Sequence, residues 1–336
     1  MKALSLHGVG DLRLIDVPTP APKAGEALVR VAACGVCGSD IPRIFSKGTY
    51  RFPTIPGHEF AGTIAEKGPG VEGLEVGDAV AVFPLLWCGE CAPCESGRYV
   101  QCENYGYLGS RDDGAFAEYV VAPSRNLAKV PAGVSLEEAA LTEPASVALH
   151  ALRRTGRSLF GLNVAVYGAG PIGLMVAQWA RSMGAAEVLI FDIAPRKAEL
   201  ARSLGFSQVF DSPAETTAHV CIEAAGVPAT MLAACRSVAR GGTVVLLGNP
   251  SRDLELPADL VSQLMRKEAS LLGTWNSDYS SLGTGDDWHA VLHAVRAKKI
   301  DLTTLVSHRV SLDEALPALE QMRDHPDRVS KILIKP

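Results

Sequence analysis

The chain has 336 residues, 47% of them hydrophobic, so it is long and apolar enough for about two domains that each bury a core. Its formal net charge is -5 and it has no basic run interleaved with aromatic residues, which excludes nucleic acid and membrane surfaces as expected partners. The N-terminal stretch MKALSLHGVGDLRLID alternates like a strand and turn and lacks the apolar core of a signal peptide, which predicts a cytoplasmic protein.

The N-terminal part of the chain consists largely of short apolar alternations separated by glycine and proline, such as GEALVRVAACG, GTIAEKG and GDAVAVFP. This pattern predicts a β-barrel-like domain. Two segments within it carry metal-binding side chains: ACGVCGSD contains Cys34 and Cys37, and PGHEF contains His58 and Glu59. Each segment is ambiguous by itself, because the two cysteines could pair with each other and an isolated histidine is more often a hydrogen-bonded turn residue.

Four cysteines lie close together in the stretch CGECAPCESGRYVQC, which a metal site, a disulfide framework or coincidence could explain. Thiolates two residues apart in a loop with glycine and proline can turn toward one centre, and four of them complete the closed tetrahedral shell of structural zinc. Disulfides fit less well in a long chain without an export signal. The sequence therefore predicts a structural zinc site with the ligands Cys88, Cys91, Cys94 and Cys102.

The stretch NVAVYGAGPIGLMVAQWA predicts the start of a dinucleotide-binding fold. It is long and apolar, but its internal glycines and proline favour a buried strand over 163–167, a tight turn and a helix over 174–181 rather than a membrane span. Strands and helices then alternate to about Trp275, through AEVLIFD, AHVCIEAAG, PATMLAACRSVAR, GGTVVLLG and ASLLGTW. This alternation predicts a parallel sheet covered by helices on both faces, with Gly248 and Thr274 at the carboxyl edge where a ligand binds.

The turn GAGPIG has the G-x-G-x-x-G spacing of dinucleotide-binding loops. Such turns also arise for packing reasons, so the context of a preceding strand and a following helix carries the interpretation. In it, Gly168 allows the turn, Gly170 lets the backbone approach the pyrophosphate, and Gly173 lets helix and strand pack closely. Pro171 and Ile172 complete the cofactor-binding loop at the helix N-terminus.

The strand AEVLIFD ends at Asp192, about where an acidic side chain accepts hydrogen bonds from the hydroxyls of the adenosine ribose. This position favours NAD over NADP as the cofactor. The alternative is that Asp192 is a solvated strand-end residue or a helix cap.

Taken in order, CGVCGSD, PGHEFAG, GDAVAV, the four-cysteine loop, DGAFAEYV, EPASVALHA and GAGPIG make the whole chain similar to zinc-dependent medium-chain alcohol and polyol dehydrogenases. Within that family, SDIPRIFSKGTYRFPTIPGHEF, GSRDDGAFAEY and GTWNSDYSSLGTGDDW most resemble galactitol-1-phosphate 5-dehydrogenases, and sorbitol dehydrogenase-like enzymes are similar too. The resemblance implies an α/β protein with a GroES-like β-barrel catalytic domain over 1–144 and 277–336. It also implies a Rossmann NAD-binding domain with a doubly wound parallel sheet over 145–276.

The resemblance further implies a catalytic zinc held by Cys37, His58 and Glu143, with Glu59 as the competing or exchanging ligand in catalysis. The chain would then bind two zinc ions, one catalytic and one structural. From the residues alone, Glu143 could equally be a helix-capping carboxylate, because it precedes Pro144.

By the same resemblance, Ser39 hydrogen-bonds the reacting oxygen and passes its proton outward, and Asp40 orients the zinc-bound histidine. As alternatives, Ser39 could cap the following helix and Asp40 could be a simple turn residue. Lys197 matches a side chain that contacts the adenosine ribose, although helix lysines are more often only solvated. Some alcohol dehydrogenases continue the proton route through a histidine where this chain has Pro42.

The implied reaction transfers hydride from a secondary alcohol of a polyol or polyol phosphate to NAD. The alternatives are a dehydrogenase of unphosphorylated polyols, threonine or simple alcohols, or a non-catalytic module that binds NAD and zinc. A substrate phosphate would require cations, and the candidate segments contain Arg43, Lys47, Arg51 and Arg111, although scattered basic residues are usually surface residues. The predicted substrate contacts are Ser39, Arg43, Arg111, Trp275 and Asn276. Family members commonly form homodimers or homotetramers.

Overall fold

The structure is a computed structural model that describes residues 1–212, 216–283 and 285–336. The chain divides into two compact units: the first comprises Met1–Glu143, Asp278–Ala297 and Val306–Pro336, and the second Pro144–Ser277 and Lys298–Leu305. The assignment of catalysis to one unit and cofactor binding to the other stays a prediction. No helix within the described ranges is long and apolar enough to cross a membrane.

The strands are β1 (Lys2–Gly8), β2 (Asp11–Asp16), β3 (Glu26–Gly35), β4 (Glu59–Lys67), β5 (Ala79–Val82), β6 (Leu85–Leu86), β7 (Gly106–Tyr107), β8 (Tyr119–Pro123), β9 (Leu127–Lys129), β10 (Asn163–Tyr167), β11 (Glu187–Phe191), β12 (Val209–Phe210), β13 (Ala218–Glu223), β14 (Val238–Leu246), β15 (Ser270–Gly273), β16 (Val306–Val310) and β17 (Lys331–Ile334). The α-helices are α1 (Asp40–Pro42), α2 (Ala92–Glu95), α3 (Leu136–Ala140), α4 (Thr142–Arg153), α5 (Pro171–Ser182), α6 (Pro195–Ser203), α7 (Pro228–Ser237), α8 (Ala258–Lys267), α9 (Asp287–Arg296) and α10 (Ala315–Asp324). A π-helical turn (Arg43–Lys47) continues α1.

A seven-stranded sheet forms the centre of the first unit, with the order β16-β17-β3-β4-β5-β9 and β8 paired to β3. All pairs except β16 with β17 are antiparallel, which confirms the β-rich domain predicted from the short apolar alternations. Buried side chains of this unit, among them Leu4, Phe60 and Phe116, form one core. Such alternation buries one face of each strand and leaves the other polar.

Strand register in this sheet brings three distant segments together. In the β3–β4 pair, Gly35 lies opposite Glu59, and in the β17–β3 pair Leu333 lies opposite Gly35. The residues just beyond these ends are Cys37 on one side and His58 on another. The register therefore places the metal-competent segments of the sequence side by side at one end of the sheet.

The second unit contains a six-stranded, fully parallel sheet with the order β12-β11-β10-β13-β14-β15. Helical segments separate most of its successive strands, which confirms the predicted parallel α/β fold. Strands β11 and β12 lie on one side of β10, and β13, β14 and β15 lie on the other, so the strand order reverses between β10 and β13. In open parallel sheets, ligands bind at the carboxyl ends of the strands at such a switch point.

Three elements of the second unit differ from the sequence-based expectation. Helix α5 begins at Pro171 rather than three residues later, because proline is preset for the first helical position. The segment PATMLAACRSVAR leaves the helical conformation after Ser237, since Val238 already pairs with Ala218 in the sheet. Helix α8, whose apolar side chains include the buried Leu260, was not predicted from the sequence.

Candidate metal centres and dinucleotide loop

The four-cysteine loop folds into a compact thiol cluster within the first unit. The four sulfur atoms lie within 4.8 Å of one another, with Cys88 Sγ 4.0 Å from Cys94 Sγ and Cys91 Sγ 3.9 Å from Cys102 Sγ. Four sulfurs about 2.3 Å from one zinc in a tetrahedron stand about 3.8 Å apart, so the donors and their spacing fit structural zinc. Backbone hydrogen bonds from Glu103 and Cys94 lower the pKa of Cys91 to about 7, which favours its thiolate.

Aromatic packing holds this loop on its own unit. Trp87, next to the first cysteine, stacks on Tyr99 with ring centroids 4.6 Å apart. The Arg125 guanidinium lies 4.3 Å above the Trp87 ring and donates a hydrogen bond to the Trp87 carbonyl. Phe83 stacks on Tyr279 at 4.6 Å on the neighbouring side. The residue that precedes the first cysteine is therefore anchored by ring packing.

A second cluster consists of Cys37, His58 and Glu59, whose potential ligand atoms all lie within 4.8 Å of one another. Both His58 and Glu59 are buried and Cys37 is half-buried. Sulfur, imidazole nitrogen and carboxylate oxygen form a donor set that suits an open, catalytic zinc site. Cys34 does not pair with Cys37, because its thiol contacts the carbonyl of Gly35 and both cysteines are free.

Asp40 ties the cysteine and histidine segments together. Its buried carboxylate accepts hydrogen bonds from the Cys37 backbone N–H at 3.0 Å and from Arg43 Nη1 at 2.7 Å. Asp40 Oδ1 also lies 3.6 Å from His58 Nδ1, just beyond hydrogen-bond distance, and that buried nitrogen has no other partner in the described residues. Because Nδ1 faces Asp40, His58 Nε2 is left to bind a metal. Burial is the main cause that raises the pKa of Cys37 to about 11, and the negative charge of Glu59 is the second.

Glu59 forms a buried ion pair that the sequence analysis missed. Lys331 Nζ lies 2.9 and 2.8 Å from the two carboxylate oxygens of Glu59 and donates a third bond to the Val36 carbonyl at 2.9 Å. Burial opposes the charge of Lys331, but Glu59, Cys37 and Glu143 together outweigh it and raise the lysine pKa. A Cβ at Gly35 would overlap the Glu59 carboxylate, so this pair requires glycine on the facing strand.

Glu143 lies in the first turn of α4 and contacts the cluster region through Tyr107. The Tyr107 hydroxyl donates to Glu143 Oε1 at 3.1 Å, and the Tyr107 ring stands edge-on to His58 with centroids 5.7 Å apart. Burial raises the pKa of Glu143 to about 8 and also raises the pKa of Tyr107. The ligand atoms of Glu143 are not part of the three-residue cluster, so its role as a zinc ligand stays a prediction.

Ser39 lies exposed beside the cluster, at the start of α1. Its backbone N–H donates to Cys37 Sγ at 3.5 Å, and its side chain makes no helix-capping hydrogen bond. The capping alternative from the sequence therefore finds no support in the structure. The hydroxyl stands at the surface, where a proton can pass from Oγ to water.

The dinucleotide loop follows β10 at the centre of the parallel sheet. Gly168 has a φ of 105°, and a Cβ there would press against Ala225. A Cβ at Gly173 would overlap the carbonyl of Gly168, so this position is restricted by helix–loop packing. At Gly170 a Cβ would meet no atom of the chain, which leaves open space above the N-terminus of α5. That space and the free backbone N–H groups suit a pyrophosphate.

Asp192 directly follows β11 beside this loop. Its Oδ2 accepts from the Ala169 backbone N–H at 2.7 Å and its Oδ1 accepts from Ala194 at 2.9 Å. Both bonds hold the carboxylate at the carboxyl end of the sheet, while each oxygen keeps a second acceptor position. Lys197 lies in the first turn of the next helix, α6. The ribose contacts predicted for these two residues stay predictions.

The remaining predicted cofactor and substrate positions lie beyond the carboxyl ends of β14 and β15. The Gly248 backbone packs against Glu223 and Gly226, where a Cβ would clash. The Thr274 hydroxyl and the Asn276 side-chain amide nitrogen are buried without a hydrogen-bond partner among the described residues. Trp275, between them, is 59% exposed. Unpaired buried polar atoms at this edge are available to a ligand.

The predicted substrate-binding arginines differ in their surroundings. Arg43 is paired with the buried Asp40, so its charge is already compensated. Arg111 stacks against two tyrosines, Tyr50 and Tyr105. Both lie in the first unit.

Comparison with known proteins gives two family matches. Residues 23–132 match the alcohol dehydrogenase GroES-like domain, and residues 171–296 match the zinc-binding dehydrogenase domain. The chain is 36% identical to galactitol 1-phosphate 5-dehydrogenase of Escherichia coli (strain K12), covering 96% of each chain, and 30% identical to sorbitol dehydrogenase of Bacillus subtilis (strain 168), covering 100% of this chain and 97% of the relative.

Solved structures agree with these matches. The crystal structure of galactitol-1-phosphate dehydrogenase from Escherichia coli superposes with a TM-score of 0.93, at 35% identity over 100% of both chains. A zinc-binding dehydrogenase from Sinorhizobium meliloti 1021 bound to NADP superposes with a TM-score of 0.90, at 29% identity over 100% of this chain and 99% of the other. The chain therefore belongs to the zinc-binding alcohol dehydrogenase family, with a GroES-like domain and a Rossmann-like parallel sheet, as the sequence predicted.

Two residues at the candidate metal centre were missed from the sequence. A signal for Lys331 existed, because SKILIKP places a lysine among apolar strand residues, and a buried lysine needs an anionic partner. Tyr107 carries no comparable signal, since its role depends on a fold that brings it between His58 and Glu143.

Proposed function

We propose that this chain is a zinc- and NAD-dependent dehydrogenase that oxidises a secondary alcohol of a polyol or polyol phosphate. The observation that carries the proposal is the buried cluster of Cys37, His58 and Glu59, with Asp40 against the histidine and Glu143 reached through one tyrosine. Such a donor set beside an exposed hydroxyl at Ser39 suits activation of a substrate alcohol. The galactitol 1-phosphate and sorbitol relatives support polyols as the substrate class.

The residues divide the chemical work as follows. When bound, zinc polarises the substrate hydroxyl and NAD accepts the hydride. Cys37 and His58 Nε2 would hold the metal, and Asp40 Oδ1, 3.6 Å from Nδ1, would orient the histidine ring by its charge. Glu143 is the third proposed ligand, while Lys331 holds the Glu59 carboxylate by both oxygens and so limits its competition for the metal.

The proton of the substrate hydroxyl leaves through Ser39 in this proposal. Its Oγ has no helix-capping bond and stands at the surface, so it can accept a proton and pass it to water. No histidine follows three residues later, since Pro42 occupies that position. The route from Ser39 therefore continues directly through solvent.

The dinucleotide loop supports NAD as the cofactor. The open space at Gly170 and the N-terminus of α5 suit the pyrophosphate. The Thr274 hydroxyl, which has no hydrogen-bond partner among the described residues, lies at the same carboxyl edge. The Asp192 carboxylate can accept hydrogen bonds from ribose hydroxyls and repels a 2′-phosphate. Thus the first unit is the proposed catalytic domain and the second unit binds NAD.

We also propose a homo-oligomer in the cytoplasm. Among the described residues, β15 is the terminal strand of the parallel sheet, and Leu271 on it is exposed, as are Val261 and Met265 of α8. An edge strand with adjacent exposed apolar side chains suits pairing with a second copy. A thiol cluster spaced for zinc rather than for disulfides suits a reducing compartment.

NADH formation and zinc content test the proposal together. The wild-type protein should oxidise polyols or their phosphates and contain two zinc ions, whereas Cys37→Ser should contain one and lose at least about a thousandfold in kcat/KM. Cys34→Ser is the matched control, since Cys34 is a buried neighbour outside the cluster and should keep both ions. NAD binding without turnover of any polyol, threonine or simple alcohol would instead support the non-catalytic module.

A further inference from the structure

Arg111 is held between two aromatic rings. Its guanidinium carbon lies 4.1 Å from the ring centroid of Tyr50 and 4.5 Å from that of Tyr105. The loop backbone is fixed as well, because Thr49 Oγ1 donates to the Ser110 carbonyl at 2.5 Å and Arg51 Nε donates to the Arg111 carbonyl at 3.1 Å. These cation–π contacts restrain the guanidinium without using its N–H donors.

The charge of Arg111 is not compensated in the way its neighbours are. Arg43 Nη1 lies 2.7 Å from Asp40, and Arg51 Nη2 lies 3.0 Å from Asp113. Within residues 1–212, 216–283 and 285–336, no carboxylate lies in ion-pair distance of Arg111 and its side chain makes no hydrogen bond. Lys47 is exposed at the end of the π-helical turn and has no such rigid support. Arg111 is therefore a preorganised cation whose guanidinium N–H groups can bind an anion.

A continuous set of aromatic contacts connects this cation with the candidate metal centre. The Tyr105 ring stands edge-on to Tyr107, with centroids 6.5 Å apart. Tyr107 in turn contacts His58 at 5.7 Å between ring centroids and donates to Glu143. Arg111 is thus linked to the histidine through two neighbouring aromatic rings within the same unit.

We propose that Arg111 binds the phosphate ester of the substrate and so makes the enzyme select phosphorylated polyols over free ones. The inference rests on the proposed polyol dehydrogenase function and deepens it. A planar guanidinium donates two parallel hydrogen bonds to a phosphate, and these charge-assisted bonds are stronger than bonds between neutral groups. Tyr50 and Tyr105 hold the guanidinium in place before the substrate arrives, so little side-chain freedom is lost on binding.

Steady-state kinetics on matched substrates test this role. The value of kcat/KM is compared for the wild type, Arg111→Gln and Arg111→Lys. The substrates are galactitol 1-phosphate, the uncharged galactitol, and a hexonate, which carries a carboxylate instead of a phosphate. Arg111→Gln should lower kcat/KM for the phosphate ester by about 10- to 100-fold and leave galactitol within about threefold. For Arg111→Lys, kcat/KM for the phosphate ester should lie between the values of the wild type and Arg111→Gln, because the charge remains but the bidentate geometry is lost. Arg13→Gln is the control. Arg13 lies on β2 and is paired with Asp11, so its replacement should change kcat/KM for neither substrate.

Binding of galactitol 1-phosphate, measured by calorimetry without turnover, separates this inference from the proposed function. Kd should rise at least about tenfold in Arg111→Gln and in Tyr105→Leu, while Tyr105→Phe keeps the ring and should bind like the wild type. Arg111-dependent binding without oxidation of any polyol would sink the proposed function and keep the anion site. Equal losses on galactitol and its phosphate, unchanged binding in Arg111→Gln, or a wild-type preference for the hexonate would each overturn the phosphate assignment.

Discussion

The buried ion pair between Lys331 and Glu59 gives a stability prediction that can be worked from the structure. The side chains are only 4% and 1% exposed, and Lys331 Nζ bonds both carboxylate oxygens and one carbonyl. Lys331→Met removes these donors and leaves the Glu59 charge buried without its partner. Breaking a buried pair in this way costs about 3–5 kcal/mol, because the remaining ion keeps its desolvation penalty.

A lysine four residues later provides a matched control. Lys335 forms an ion pair with Glu137 at the same distance of 2.8 Å, but its side chain is 50% exposed. Glu137 also keeps a second partner, Arg309, at 2.8 Å. Lys335→Met should therefore lower the free energy of unfolding by less than about 1 kcal/mol, as expected for a solvent-screened pair.

Urea unfolding at a fixed zinc concentration measures both variants, and the midpoint and slope are compared with the wild type. The double variant Glu59→Gln/Lys331→Met should recover part of the loss, because no uncompensated charge then remains buried. Equal losses for Lys331→Met and Lys335→Met would refute the reasoning. So would a double variant that is less stable than Lys331→Met alone.

Three further predictions concern the glycine loop, the thiol cluster and the cofactor. Gly173→Ala should give a poorly folded protein because its Cβ overlaps a loop carbonyl, whereas Gly170→Ala should keep the wild-type circular dichroism spectrum and weaken NAD binding; similar melting curves for both would contradict this. Cys94→Ser should lose the structural zinc and lower Tm by several degrees, while Cys235→Ser should keep the full zinc content by metal analysis. Asp192→Ser should lower kcat/KM for NAD more than for NADP, and an unchanged ratio of the two would exclude the proposed ribose contact.

Local patterns in the sequence were sufficient for the parallel sheet of the second unit. The strand from Asn163 to Tyr167 is continuously apolar because both faces of a parallel sheet are covered, and the glycine-rich turn marks where the helix begins. The end of α7 at Ser237 was missed because pairing of Val238 with Ala218 overrides helical preference, a tertiary effect that periodicity cannot report.

The candidate metal centre was less accessible from the sequence. Cys37 and His58 were found because each belongs to a short segment with metal-binding chemistry. The contact of Glu59 with Lys331 joins positions 272 residues apart, and only the register of two strands on β3 brings them together. The stacking of Tyr105 on Arg111 also depends on loop conformation rather than on spacing. Long-range pairing of this kind leaves no periodic trace in a single chain.

The sulfur spacing in the four-cysteine loop has a practical consequence for handling the protein. Cys91 and Cys102 have sulfur atoms 3.9 Å apart, and a small movement would bring two such thiols to the bonding distance of about 2.05 Å. Once a chelator removes the metal, peroxide or air should convert the loop to sulfenic acids and disulfides, starting at the more acidic Cys91. Loss of zinc during purification would then become irreversible without a reductant, and the metal acts as a protecting group for its own ligands.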